Sequence, residues 1–113
     1  MNDILKQIDD VLEARKSDSP DSSYVASLYD KGIEKILKKV SEEAAETVMA
    51  AKDLEHSNGA QADQEHLVYE IADLWFHTMV LLASQNLSSN NVTAELQRRF
   101  GLSGHEEKAS RSE

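Results

Sequence analysis

The sequence predicts an all-α fold, an antiparallel bundle of four to five helices. Apolar residues recur at intervals of three and four through most of the chain, as helices packed on a shared core require. No segment sustains the alternation of apolar and polar residues, rich in β-branched types, that marks a strand. Short clusters of Ser, Asn, Asp, Gly and Pro divide the helical stretches as turns.

At 113 residues the chain has room for one domain and a modest core, so any large apolar face left over points to a partner chain. We assign the domain to residues 1–101 and treat 102–113 as a polar C-terminal tail, mobile in isolation. With 12 basic and 21 acidic residues the formal charge is −9, which argues against nucleic-acid binding through a basic surface. A nucleotide ligand stays open, provided divalent cations bridge the like charges. The absence of cysteine excludes disulfides and thiolate metal sites. The N-terminus lacks the basic and apolar regions of a signal peptide. The longest apolar run, 74–83, is interrupted by His77 and Thr78 and falls short of the ~20 residues that span a bilayer. The expected location is the cytoplasm, with no membrane attachment.

Ile4, Leu5, Ile8, Val11 and Leu12 share one helical face through Arg15, with Asn2 or Asp3 available as the cap. The opposite face, Lys6, Asp9, Asp10 and Glu13, reads as a solvated surface. Residues 17–23 contain the proline and form a loop. Residues 24–29 suggest a short helical turn, and Gly32 marks a break or kink. From residue 33, Ile33, Ile36, Leu37, Val40, Ala44, Val48, Ala51 and Leu54 make a stripe roughly 120° wide, as a core-facing helix requires. Ser57-Asn58-Gly59 ends that helix, because Asn and Gly accept the left-handed conformation of helix termini. A third long segment follows over 61–85. After a turn at 86–91, Val92, Leu96 and Phe100 recur every four residues in a helix that stops at Gly101.

The 61–85 segment is apolar over most of its circumference. Val68, Ile71, Ala72, Trp75, Phe76, Met79, Leu82 and Ala83 cover one side, and Leu67, Leu74 and Leu81 extend it. His66, Glu70, Asp73, His77 and Ser84 share the one polar strip. Such a helix is expected to be buried and central, with Trp75, Phe76 and Met79 in the core and the strip facing a protein cavity. Two carboxylates there need compensation.

The preceding helix offers a matching pair. Glu43 and Glu46, about one turn apart, project side by side at the edge of its apolar stripe, whereas Glu42 points further away. The short connection at 55–61 favours antiparallel neighbours, which brings Glu70 and Asp73 opposite Glu43 and Glu46. Like charges that close raise one another's pKa unless a cation intervenes. Hard oxygen donors without thiolate suit Mg²⁺, with Mn²⁺ as a substitute, so metal-assisted phosphate hydrolysis is the indicated chemistry. On its own, Glu-Glu-x-x-Glu is most often a solvated face; Glu-x-x-Asp in an apolar helix needs an Arg, Lys or cap if it is merely structural. Taken together, the pairs favour a metal site. Lys39 is oriented to touch a triphosphate, or else forms a local ion pair. His77 could be a core histidine bonded to a carbonyl, but its position one turn beyond Asp73 favours a group that orients that carboxylate from behind. Arg98, Arg99, Lys108 and Arg111 give the C-terminal part a positive bias, as solvated charge or as phosphate contacts.

Lys38-Lys39-Val40-Ser41-Glu42-Glu43-Ala44-Ala45-Glu46, with Glu70-Ile71-Ala72-Asp73-Leu74 and His77, resembles the all-α nucleotide pyrophosphohydrolases, whose pattern is Glu-Glu-x-x-Glu then Glu-x-x-Asp. Ser23-Tyr24, Ile36-Leu37-Lys38-Lys39-Val40 and Ser103-Gly104 with Glu107-Lys108-Ala109-Ser110-Arg111 narrow the resemblance to the phosphoribosyl-ATP pyrophosphohydrolase family. Ser41 departs from the glycine expected there, without touching the acidic positions. The resemblance implies a stand-alone homodimeric enzyme that hydrolyses phosphoribosyl-ATP to phosphoribosyl-AMP and pyrophosphate with Mg²⁺, the second step of L-histidine biosynthesis. It also implies that Glu43, Glu46, Glu70 and Asp73 bind the metal, and that Glu42 assists as ligand, supporting group or water-orienting base. Glu42, Glu43 and Glu46 are therefore the expected catalytic residues, with Lys39, Lys108 and Arg111 on substrate. A related enzyme that removes noncanonical nucleoside triphosphates would use the same pocket and is the alternative.

Overall fold

A computed structural model describes residues 3–101. It is all-helical: α1 (Ile4–Ala14), a 3-10 turn (Arg15–Ser17), α2 (Tyr24–Lys31), α3 (Ile33–His56), α4 (Gln61–Ser84) and α5 (Ser89–Phe100), with no strand among the described residues. The expected turn at 24–29 is thus a full helix. The Ser23 side chain starts it by accepting from the Ala26 N–H at 3.2 Å. Gly32 then serves two helices, its N–H closing α2 on the Leu28 carbonyl and its carbonyl accepting from Lys35 and Ile36 at the head of α3. It does so at φ 94° and ψ −178°, a region essentially reserved for glycine.

The long helices α3 and α4 form an antiparallel hairpin. Asn58 and Gly59, at φ 57° and 89°, reverse the chain between them. The core sits at one end of this hairpin, where Leu12 of α1, Val25 and Leu28 of α2, Ile36 of α3, and Met79, Val80 and Ala83 of α4 meet. α5 is tied to α1 by Asp9, whose carboxylate accepts from the Ser89 N–H at 3.0 Å and the Ser89 hydroxyl at 2.5 Å. Asp9 therefore belongs to an inter-helix joint rather than to a solvated face. At the other end of α5, Arg98 and Arg99 both bond Glu95 and hold its carboxyl down at about 2, so much of the positive bias at these two arginines is met locally.

Beyond the core, the described residues leave Val48, Met49, Val68 and Tyr69 in the distal half of the hairpin more than half exposed. The radius of gyration of 17.0 Å exceeds the ~13 Å of a compact chain of similar length. Here the expectation of a fully buried central helix fails: Val68 and Trp75 of α4 are 68% and 59% exposed, and Trp75 is not core. The periodic pattern reported apolarity correctly, but the described residues leave these two side chains largely uncovered, Trp75 on the rim of a cavity shared with Leu5, Val92 and Leu96. By length and composition α4 is also long and apolar enough to cross a membrane, contrary to the estimate from its apolar run. Glu70 and His77 are nevertheless buried along it, and it packs lengthwise against α3.

The Gly32 geometry yields a prediction. A Cβ there meets nothing within 4 Å, so Gly32→Ala carries only conformational strain, about 1–3 kcal/mol. Thermal unfolding should show a lower Tm with the helical circular dichroism intact; an unchanged Tm would contradict the strain.

Candidate metal and phosphate site

Glu43 and Glu46 on α3 and Glu70 on α4 bring carboxylate oxygens within 4.8 Å of one another. The i, i+3 spacing puts the first two on one face, and the antiparallel hairpin carries Glu70 across from them. Glu43 and Glu70 are buried, at 5% and 7% exposure, while Glu46 is exposed and closes the group from the solvent side.

Each buried carboxylate is half satisfied. Glu70 Oε2 meets His66 Nε2 at 3.0 Å, and Glu43 Oε1 lies 3.7 Å from the Lys39 ammonium. Glu70 Oε1 and Glu43 Oε2 are buried with no hydrogen-bond partner among the described residues. Buried polar oxygens are almost always partnered, so two orphans on facing carboxylates are the chemical signature of a cation seat. Oxygen-only donors of this kind fit Mg²⁺ or Mn²⁺.

Lys39 extends the site. It bonds Glu42 Oε2 at 3.2 Å, which places it between that carboxylate and Glu43. Burial pulls its pKa down, but the Glu42 bond and the nearby Tyr24 and Glu43 outweigh this and hold the ammonium above its usual value. The same bond holds Glu42 below the usual carboxylate range. Glu46 is pushed the other way, first by the charge of Glu43, then by desolvation and by Glu70.

Asp73 stands one turn beyond Glu70, half-buried, outside the group within 4.8 Å. His77 is buried behind it, but its ring meets the main chain rather than the Asp73 carboxylate. Nδ1 bonds the Asp73 carbonyl at 2.8 Å, and Nε2 meets the Tyr24 hydroxyl at 2.9 Å. Of the two readings of His77, the geometry matches the histidine bonded to a carbonyl. Lys108 and Arg111 lie outside the described residues.

Two neighbours of the site had no role assigned from the residues. His66 lies four residues before Glu70 on the same strip, and that spacing is the signal that could have paired them. Tyr24 arrives from α2, a separate element, and no local spacing announces it. Its hydroxyl pKa is raised by burial, with Lys39 opposing and Glu43, Asp73 and Glu42 adding to the rise, which places the phenol in the field of the whole cluster.

With the geometry in hand, comparison with known proteins is specific. A family model described as phosphoribosyl-ATP pyrophosphohydrolase matches residues 5–100. The phosphoribosyl-ATP pyrophosphatase of Hydrogenovibrio crunogenus is 66% identical over 111 residues, covering 98% of this chain and 95% of that protein. The phosphoribosyl-ATP pyrophosphatase of Ruthia magnifica subsp. Calyptogena magnifica is 53% identical over 112 residues, covering 99% of each.

The raised pKa of Glu46 has a definite sign in stability. The folded state holds its proton more tightly than the unfolded chain, so without divalent ions stability falls as pH rises through the folded pKa. Glu46→Gln should therefore melt higher than the parent at neutral pH in chelator, with the gap closing in acid, where Glu46 is protonated in both states. Saturating Mg²⁺ should reverse the order, since the parent gains about 2.7 kcal/mol at a hundredfold excess over Kd and the variant gains less. Equal responses to Mg²⁺ in melting scans would remove Glu46 from the cation site.

Proposed function

The chain belongs to the phosphoribosyl-ATP pyrophosphohydrolase family, and on that premise we propose that it hydrolyses phosphoribosyl-ATP to phosphoribosyl-AMP and pyrophosphate using Mg²⁺, the second step of L-histidine biosynthesis. The observation that carries the metal-dependent reading is the pair of buried, unpartnered oxygens on Glu43 and Glu70. Glu43, Glu46 and Glu70 would hold the cation, and Asp73, one turn along α4, would complete the set. When bound, Mg²⁺ would supply positive charge against the triphosphate and the departing pyrophosphate. Mn²⁺ has the same preference for oxygen donors and would substitute.

The chain's own groups divide the remaining work. Lys39, kept protonated beside Glu42 and Glu43, is a point charge for phosphate oxygens. Glu42, kept ionised by Lys39, presents an acceptor that would orient the attacking water. Lys108 and Arg111 would add phosphate contacts from the tail. The protein's contribution is positioning and electrostatics more than covalent chemistry.

A second copy of the chain would cover the projecting hairpin. Val48 and Met49 on α3 and Val68, Tyr69 and Trp75 on α4 are all more than half exposed, an apolar face of the kind that homodimers bury. The relatives are named for hydrolysis of a small nucleotide, and an enzyme of that kind would work in the cytoplasm.

The direct test is release of pyrophosphate from phosphoribosyl-ATP by the purified protein with Mg²⁺, alongside a panel of ordinary and noncanonical nucleoside triphosphates. Turnover confined to phosphoribosyl-ATP is expected; turnover of the panel instead would shift the assignment to a house-cleaning enzyme. In the same assay, a chain ending at Gly101 should show a several-fold higher KM. An unchanged KM would rule out Lys108 and Arg111 as substrate contacts.

A further inference from the structure

The hydrogen-bond polarity of the Tyr24–His77 pair bears on what the phenol can offer beside the carboxylates. His77 Nδ1 faces a main-chain carbonyl, which has no hydrogen to give, so in the neutral ring Nδ1 carries the hydrogen and donates it to Asp73 O at 2.8 Å. Nε2 is then a lone pair. The partner 2.9 Å away, the Tyr24 hydroxyl, must donate to it. The rings also meet edge-on, with centroids 5.9 Å apart and planes at 81°, and Phe76 packs edge-on against the same imidazole, so the pair is held from two sides.

With its proton committed to His77, the Tyr24 oxygen has only lone pairs left to present. Tyr24 itself is 53% exposed, yet His77 is buried at 6%, so the phenol bridges the interior and the open side of the site. Its charged neighbours are the carboxylates of Glu42, Glu43 and Asp73 and the ammonium of Lys39, and Lys39 is already bonded to Glu42. An acceptor in that position repels a phosphoryl oxygen and welcomes an O–H or N–H.

We propose that Tyr24, polarised by His77, is a hydrogen-bond acceptor in the substrate cleft that takes a donor brought in with the ligand, either a hydroxyl of the nucleotide or a water carried by the cation. His77 is then a positioning residue that acts through Tyr24. This rests on the function proposed above and extends it to a residue outside the carboxylate set. Lys39 and the cation answer the phosphates, while Tyr24 answers the donors.

The test is a double-mutant cycle at one fixed pH with phosphoribosyl-ATP and Mg²⁺. Tyr24→Phe keeps the ring against His77 and removes only the oxygen. It should raise KM roughly tenfold with kcat nearly unchanged, the pattern of a lost binding contact. His77→Phe should raise KM similarly by freeing the phenol proton to point into the cleft, and the double variant should be little worse than either single one. Mn²⁺ titration without nucleotide separates the two sources. Weaker Mn²⁺ binding in Tyr24→Phe identifies the water, and unchanged Mn²⁺ binding with a raised KM identifies the nucleotide hydroxyl. If Tyr24→Phe matches an active parent in both KM and Mn²⁺ affinity, the role of Tyr24 is overturned. A parent that does not turn over phosphoribosyl-ATP counts against the function instead.

Discussion

Glu43 and Glu70 are buried across the α3–α4 interface, each with one oxygen that has no hydrogen-bond partner among the described residues. A carboxylate left buried and unpaired costs about 3–5 kcal/mol, a large fraction of what a domain of this size has to spare. Lys39 and His66 meet the other oxygens and offset part of that cost. Stability and function are therefore in tension at one place. The same closeness of carboxylates that would suit a cation is what costs the fold stability.

The rest of the architecture serves that place. α1, α2 and the near ends of α3 and α4 make a core that anchors the hairpin, and Gly32 sets α2 beside α3. α2 then delivers Tyr24 over His77, so the carboxylates face a wall whose polarity is set by one histidine tautomer. The far half of the hairpin carries apolar side chains that the other described residues leave exposed. The site thus lies between an anchored end and an exposed apolar end.

Much of this was legible in the sequence, for physical reasons that differ from element to element. α3 and α4 are long and periodic, and Glu43, Glu46 and Glu70 follow from helical spacing plus a short antiparallel connection. α2 is only eight residues long, too short for periodicity to define it, and its Ser23 cap was the better clue. The exposure of Trp75 and Val68 was not legible, because a hydrophobic pattern reports which face avoids water and not which neighbour covers it. The Asp9–Ser89 joint and the approach of Tyr24 depend on packing between separate elements, about which spacing along one helix is silent. The nucleotide itself came from resemblance in segments flanking the carboxylates, and the match over residues 5–100 agrees with it.

The central claim is that a divalent cation completes the half-satisfied carboxylates of α3 and α4. Anomalous diffraction from crystals grown with Mn²⁺ tests it most directly. The account predicts a manganese peak bounded by Glu43, Glu46 and Glu70 and touching the two oxygens that are now unpartnered. Crystals in which those oxygens bond to side chains or water, with no anomalous peak between the helices, would contradict it.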